Sequence, residues 1–184
     1  MWFLTQEGVD RYDGKYIKHY NFSDDSIKLD SRIALNWLYM DSGNILWVIG
    51  QKGRIFRYDS QHDKFKLAYI HPELIRNKPQ AFLNYGYLDK NDRIWLCYKD
   101  SITWYDIRTG TTLHMPTPVN GEITAIEQTD SNHFFIGTGN GLFHAGIEKG
   151  KLNIMPDKMV EGIGTSVHEL YYHAVSKQLF VGNY

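Results

Sequence analysis

The sequence predicts an all-β chain made of a repeated unit of four short antiparallel strands. Three observations carry this expectation. Of 184 residues, 15% are aromatic, with 13 tyrosines, 5 tryptophans, 16 glycines and 5 prolines. Aromatic and β-branched residues favour strands, and Gly, Asn and Asp clusters favour the turns between them. Apolar residues recur with a period of two rather than 3.6, and no stretch has the pattern of an amphipathic helix. Finally, the chain repeats itself. LNWLYMDSGNILW (35–47) and LNYGYLDKNDRIW (83–95) align without a gap. They share Leu35/Leu83, Asn36/Asn84, Tyr39/Tyr87, Asp41/Asp89 and Trp47/Trp95.

Two further copies extend the pattern. ITAIEQTDSNHFF (123–135) has Phe135 in the tryptophan place, and VHELYYHAVSKQLF (167–180) has Phe180 there with one extra residue. Trp2 supplies the same landmark near the start. The landmarks at 2, 47, 95, 135 and 180 lie 45, 48, 40 and 45 residues apart. Propeller blades repeat at about 40–50 residues. A single blade cannot bury both of its faces and must stack on neighbours. The expected architecture is therefore a β-propeller of four-stranded antiparallel blades.

One repeat shows the elements in order. Strand A covers 34–40, with Ile33, Leu35, Trp37 and Tyr39 expected on one face. Asp41-Ser42-Gly43-Asn44 turns the chain into strand B (45–50), and Gln51-Lys52-Gly53 turns it into strand C (54–58). Asp59-Ser60-Gln61-His62-Asp63 leads to strand D (64–70), and 71–80 cross to the next repeat. The triplets Arg11-Tyr12-Asp13, Arg57-Tyr58-Asp59 and Trp104-Tyr105-Asp106 all hold the end of strand C. The chain then divides into strands B, C and D (1–20), whole blades at 33–70, 80–114 and 121–155, and strands A and B (166–184). This phase is that of a piece of a longer propeller. The alternative is a four-bladed ring, in which the last strand A completes the first blade and 178–184 are left as an unpaired edge.

Composition also excludes function classes. The net charge of −1 argues against a nucleic-acid-binding surface and against a polybasic membrane anchor. The single cysteine, Cys97, excludes an intrachain disulfide and a multi-cysteine zinc site. No apolar run reaches the roughly 20 residues of a membrane helix, and Met1-Trp2-Phe3-Leu4 begins no signal peptide. No metal or cofactor is expected. His168 and His173 flank Glu169 but stand five apart in a strand-like segment, whereas the zinc motif needs two histidines four apart on a helix. Gly137-Thr138-Gly139-Asn140-Gly141 reads as a hairpin turn in which Asn-Gly supplies positive φ. Glu122, Glu127, Glu161 and Glu169 form no marked pair for glycoside hydrolysis. Trp2, Trp47 and Trp95 read as packing between blades. Trp37, Tyr85 and Trp104 pack as well, or stack on a sugar ring if exposed.

DSGNILWVIGQKGRIFRYD (41–59), DKNDRIWLCYKDSITWYD (89–106), FFIGTGNGLF (134–143) and WFLTQEGVDRYDG (2–14) together resemble the two-component regulator propeller repeat. That repeat runs from an aspartate and a polar turn through Leu/Ile-Trp, an apolar residue, Gly-Thr and Gly-Leu to an Arg-Tyr-Asp-like triplet. The resemblance covers essentially the whole chain and departs at Cys97, where glycine is usual. It implies a fragment of a seven-bladed propeller in the extracytoplasmic sensor region of a membrane-bound histidine kinase, many of which are hybrid two-component systems. It further implies a periplasmic setting, a glycan fragment as ligand and control of polysaccharide-use genes. The remaining blades, downstream sensor domains and a homodimeric parent would be the partners. No catalysis is implied for this segment.

Blade topology indicates where a ligand would sit. The D–A connections (21–32, 71–80, 115–121, 156–166) and the B–C turns (51–53, 99–100, 139–140) share one end of the blades. Loops on a rigid scaffold are the usual place for binding residues. Arg32, Gln51, Arg76, Gln80, Lys99, Asp100, Asn120 and Asn140 are the candidates there, since amides and charged groups suit sugar hydroxyls. Signalling would need a ligand that binds two arrangements of the propeller unequally. Two other classes stand beside this one. A propeller lyase or hydrolase acting on glycans would need converging ionisable groups with perturbed pKa values. A protein-interaction scaffold of the WD-repeat sort is disfavoured, since no Trp-Asp ends a strand and no Gly-His opens a blade.

Overall fold

The computed structural model describes residues 1–5, 7–22, 34–72, 82–119, 121–155 and 166–183. They form two compact units, Met1–Gly86 and Tyr87–Tyr184. In the first unit, β1 (Trp2–Leu4), β2 (Val9–Tyr12) and β3 (Ile17–Tyr20) make a three-stranded sheet. There β4 (Leu35–Met40), β5 (Leu46–Gly50), β6 (Arg54–Asp59) and β7 (Lys64–Ile70) make a four-stranded one. The next four-stranded sheet is β8 (Tyr85–Leu88), within which the units divide, β9 (Arg93–Cys97), β10 (Ser101–Asp106) and β11 (Thr112–Pro116). The second unit continues with β12 (Ile123–Gln128), β13 (His133–Thr138), β14 (Gly141–Glu148) and β15 (Lys151–Met155), again one sheet. A hairpin of β16 (Glu169–His173) and β17 (Gln178–Gly182) follows. Every sheet is an antiparallel meander in chain order, as expected of propeller blades.

The repeated aspartate and tryptophan act as one device. Asp41 Oδ1 accepts the Gly43 and Ile45 amides at 2.9 and 2.8 Å, and Oδ2 accepts Trp47 Nε1 at 2.7 Å. Asp89 does the same for the Asn91 and Arg93 amides and for Trp95 Nε1 at 2.8 Å, and also accepts Arg93 Nε at 2.7 Å. One carboxylate thus closes the A–B turn and satisfies an indole N–H that is otherwise buried. Where Phe135 replaces tryptophan there is no N–H to satisfy. Thr129 then stands in the aspartate place, and Asp130 caps the turn through the Asn132 and His133 amides, both at 3.0 Å. In the last hairpin His173 takes that place, and its Nδ1 accepts the Ser176 amide. The triplet aspartates Asp13, Asp59 and Asp106 close the C–D hairpins, each accepting amides two and three residues on.

Two expectations are corrected. Leu35 does not share a face with Trp37 and Tyr39. A β-bulge shifts the register between Leu35↔Gly50 and Trp37↔Ile49. Leu35 therefore turns with Leu38 toward Val9, Val48 and Phe56, while Trp37 lies on the other face against Gly86. Ile33 lies outside the described residues. The same bulge recurs between Ile123 and Ala125. In the Asn140-Gly141 turn, positive φ falls on Gly141 alone, at +131°. In the other turns positive φ falls on Asn44, Lys52, Asp63, Asp92, Lys149 and Lys177 as well as on Gly14, Gly53, Gly110 and Gly150.

Candidate functional site

Strand register fixes which connections share an end. Leu35 pairs with Gly50, and Arg54 with Ile70, so the turn after strand B and the exit from strand D lie together. Gln51 opens the 3₁₀ turn Gln51–Gly53, is exposed, and donates its amide to the Ala34 carbonyl at 2.7 Å. Lys99 and Asp100 are exposed and adjacent in the β9–β10 turn. The Asp100 carbonyl accepts the Thr117 amide at 3.0 Å, tying that turn to the segment leading to β12. Asn140 is exposed in the β13–β14 turn, with its amide donating to Thr138 Oγ1 at 3.0 Å. Its side chain lies against Gly121, where a Cβ would come within 2.9 Å of Nδ2 and where φ is +121°. Lys99, Asp100 and Asn140 thus occupy equivalent turns of consecutive sheets in the second unit, while Gln51 belongs to the first. Arg32, Arg76, Gln80 and Asn120 lie outside the described residues.

Among the described residues, Glu122 and Glu169 stand at this end, just before β12 and at the start of β16. Glu127 is on strand β12, where burial raises its pKa against the counter-effects of the Tyr172 amide and Lys90. It accepts that amide at 3.3 Å, so it holds β16 in place. Glu169 is exposed on β16, Glu122 precedes β12, and Glu161 lies outside the described residues. Burial pushes the Cys97 thiol well above its usual range, which makes it inert. Among the described residues no group of three or more His, Cys, Asp or Glu side chains could hold a metal ion. Trp104 is buried, and Trp37 and Tyr85 are half-buried and meet edge-on at 5.9 Å. All three are packing residues rather than exposed sugar platforms.

One feature was missed by the sequence reading. A groove of about 390 Å³ opens in the second unit, with Asp130, His133, Phe135, His144, Tyr172 and Lys177 among its lining. His144 stacks on Phe135 at 5.0 Å, and His133 lies 5.8 Å from His144. His133 Nδ1 is 2.9 Å from both carboxylate oxygens of Asp130. The repeat holds the signal that could have found it. For the first four landmark aromatics, the residue paired on the following strand is Arg11, Arg57, Trp104 and His144 in turn. Each lies over its partner: Arg11 at 5.5 Å from the Trp2 ring, Arg57 at 6.0 Å from Trp47, and Trp104 at 4.9 Å from Trp95.

No protein-family model matches the chain, and no curated protein matches it either. Solved structures do. The chain is similar to the extracellular domain of the hybrid two-component system BT3049 from B. thetaiotaomicron, at 19% identity and a TM-score of 0.66. That match covers 97% of this chain and 28% of the other. For the extracellular domain of BT4673 from the same organism the identity is 15% and the TM-score 0.69, over 98% of this chain and 24% of that one. Virginiamycin B lyase from Staphylococcus aureus matches at 15% identity and a TM-score of 0.66, over 92% of this chain and 55% of the lyase. The fold is a β-propeller. The chain spans about a quarter of the length of the two-component domains it matches. Those neighbours are of the class to which the repeat motifs point.

Proposed function

We propose that the chain is a ligand-recognition segment of an extracytoplasmic two-component sensor, binding a glycan fragment without converting it. The observation that carries this reading is the double agreement of motif and fold. The repeat strings resemble two-component regulator propellers, and two extracellular domains of hybrid two-component systems match nearly the whole chain. The recognising groups are Lys99, Asp100 and Asn140, with Gln51 on the equivalent turn of the first unit. Their turns are pinned by backbone hydrogen bonds, so they offer donors and acceptors at low ordering cost. The parent is a periplasmic, membrane-anchored, homodimeric histidine kinase that supplies further blades. Ligand affinity that differs between two arrangements of that dimer is what would alter the kinase.

The lyase neighbour supports a second reading, a propeller enzyme acting on glycans, because propellers host both functions. One experiment separates them. Oligosaccharides from several polysaccharide classes are titrated by calorimetry, and each mixture is then analysed for cleavage. The sensor reading expects saturable binding of an intact glycan, weakened about tenfold, or roughly 1.4 kcal/mol, by Asn140→Ala or Asp100→Ala. Cleaved product, or binding indifferent to those substitutions, would contradict it.

A further inference from the structure

The outer strands of the sheets are not alike. Strands β3, β7, β11 and β15 each end a sheet and, among the described residues, each pairs with one neighbouring strand. Such a strand turns backbone N–H and C=O groups outward and is a template for pairing with another chain unless it is guarded, most often by lysine. Strand β3 carries Lys18, β7 carries Lys64 and Lys66, and β15 carries Lys151. β7 is bulged as well, where its register shifts opposite Ile55 and Phe56. Strand β11 reads Thr112-Leu113-His114-Met115-Pro116, with no Lys, Arg, Asp or Glu. It pairs with β10 over all five residues without a bulge.

The ladder fixes which way its backbone groups point. The Thr111 carbonyl accepts the Asp106 amide at 2.9 Å, and the Thr117 amide donates to the Asp100 carbonyl at 3.0 Å. Both bonds continue the register that pairs Tyr105 with Thr112 and Ser101 with Pro116. In an antiparallel ladder alternate residues bond to the same neighbour. Leu113 and Met115 therefore bond to β10, while Thr112, His114 and Pro116 direct their backbone groups outward. Proline has no N–H to offer, and an outward position on an edge is where a sheet accepts it. The His114 ring is engaged within the sheet, with Nδ1 2.8 Å from Thr103 Oγ1. Leu113 stays 46% exposed, although it pairs with the buried Trp104.

From this we infer that the outer edge of β11 is a pairing surface for a second copy of the chain. The two β11 strands run antiparallel about a two-fold axis at Leu113, so the same patch serves both copies. Thr112 of each copy then exchanges backbone hydrogen bonds with His114 of the other. The two Leu113 side chains meet across the axis in the closer, non-hydrogen-bonded position, which covers their exposed area. Charge selects both the strand and the occupant. Laid against its own copy, β3 brings Lys18 toward Lys18 of the mate, and β7 brings Lys64 toward Lys66. Like charges across a ladder destabilise it, and β11 meets no such cost. The contact is small, so the dimer is weak. No ligand enters the inference, and it stands or falls apart from the sensor reading.

The test follows the 184-residue chain by sedimentation equilibrium from about 10 μM to about 1 mM, a range suited to a small interface. The apparent mass is expected to climb from monomer toward dimer, with slower hydrogen exchange of the Thr112 amide at the high end. Leu113→Lys and Leu113→Glu, both at an exposed position, should each weaken association several-fold. Mixed in equal amounts the two variants should associate again, because opposite charges then face each other across the axis. Ile17→Lys puts the same charge on a residue of β3 that is 69% exposed, and should change nothing. A chain that stays monomeric throughout would overturn the inference. So would association that survives both Leu113 variants, a mixture that associates no better than either variant alone, equal weakening by Ile17→Lys, or a dimer that leaves Thr112 exchange unchanged.

Discussion

In the first unit Trp2, Tyr20, Tyr58 and Phe65 form one aromatic cluster with ring separations from 4.9 to 6.0 Å. Asp63 beside them accepts Arg11, Lys18, Tyr20 and Tyr58. In the second unit the same repeat position holds Phe135, half-buried, with His144 stacked on it and open space alongside. The difference is not uniform along the second seam. Near the strand starts it is tight: Thr124 donates to the Val167 carbonyl, and Val167 presses on Gly137. Only toward the outer strands does it open. A blade's sequence thus specifies one side of an interface, and the neighbouring sheet specifies the other.

The largest effects should fall where the seam is closed. Trp2→Ala is expected to cost about 3 kcal/mol in urea unfolding of the first unit, as large-to-small changes in an aromatic core do. Phe135→Ala should cost about 1 kcal/mol, because part of its ring borders the groove. Equal costs would break the comparison. Next, Gly137→Ala should cost about 2 kcal/mol. A Cβ there would sit 2.5 Å from Val167 Cγ1, so β16 must shift. An alanine tolerated without loss would show that the inner seam is loose as well.

Smaller, pH-dependent effects sharpen the same contrast. The Lys18 ammonium, then the Tyr20 and Tyr58 hydroxyls, hold the Asp63 carboxyl well below the usual carboxylate range. Its folded pKa is depressed, so its contribution is present above an unfolded value of about 4 and is lost as pH falls below that. Asp63→Asn should flatten the acid limb of the stability profile of the first unit. An unchanged limb would show that the carboxylate adds nothing to the seam. The smallest effect concerns His19, raised chiefly by its hydrogen bond to Asp10, 2.5 Å away. Here the sign reverses: stability is present below about 6.5 and is lost as pH rises through the folded value. An NMR titration of His19 should give a midpoint above 6.5, lowered by Asp10→Asn.

Much of the fold was legible because its determinants are local. Asp41 and Trp47 stand six residues apart, and the carboxylate that closes the turn also binds the indole, so both recur together and are replaced together at Thr129 and Phe135. Strands A to D of the repeat, expected over 34–40, 45–50, 54–58 and 64–70, form within a residue of those bounds. The bulge after Leu35 was not legible, because one extra residue changes no composition yet moves a side chain to the other face. The Arg11–Asp63 contact joins residues 52 apart and has no local signature. The groove was hidden for the same reason, since it depends on what the next blade supplies. Of the eight candidate ligand residues, Gln51, Lys99, Asp100 and Asn140 stand exposed on the expected turns, because a two- or three-residue hairpin turn is set by its own strands.

A pair of double-mutant cycles tests the contrast between the seams most directly. One combines Trp2→Ala with Phe65→Ala, whose rings meet edge-on at 6.0 Å. The other combines Phe135→Ala with Leu179→Ala across the groove. The account predicts a coupling of about 1 kcal/mol at the first pair and additivity within about 0.4 kcal/mol at the second. Additivity at Trp2 and Phe65, or an equal coupling at Phe135 and Leu179, would contradict it.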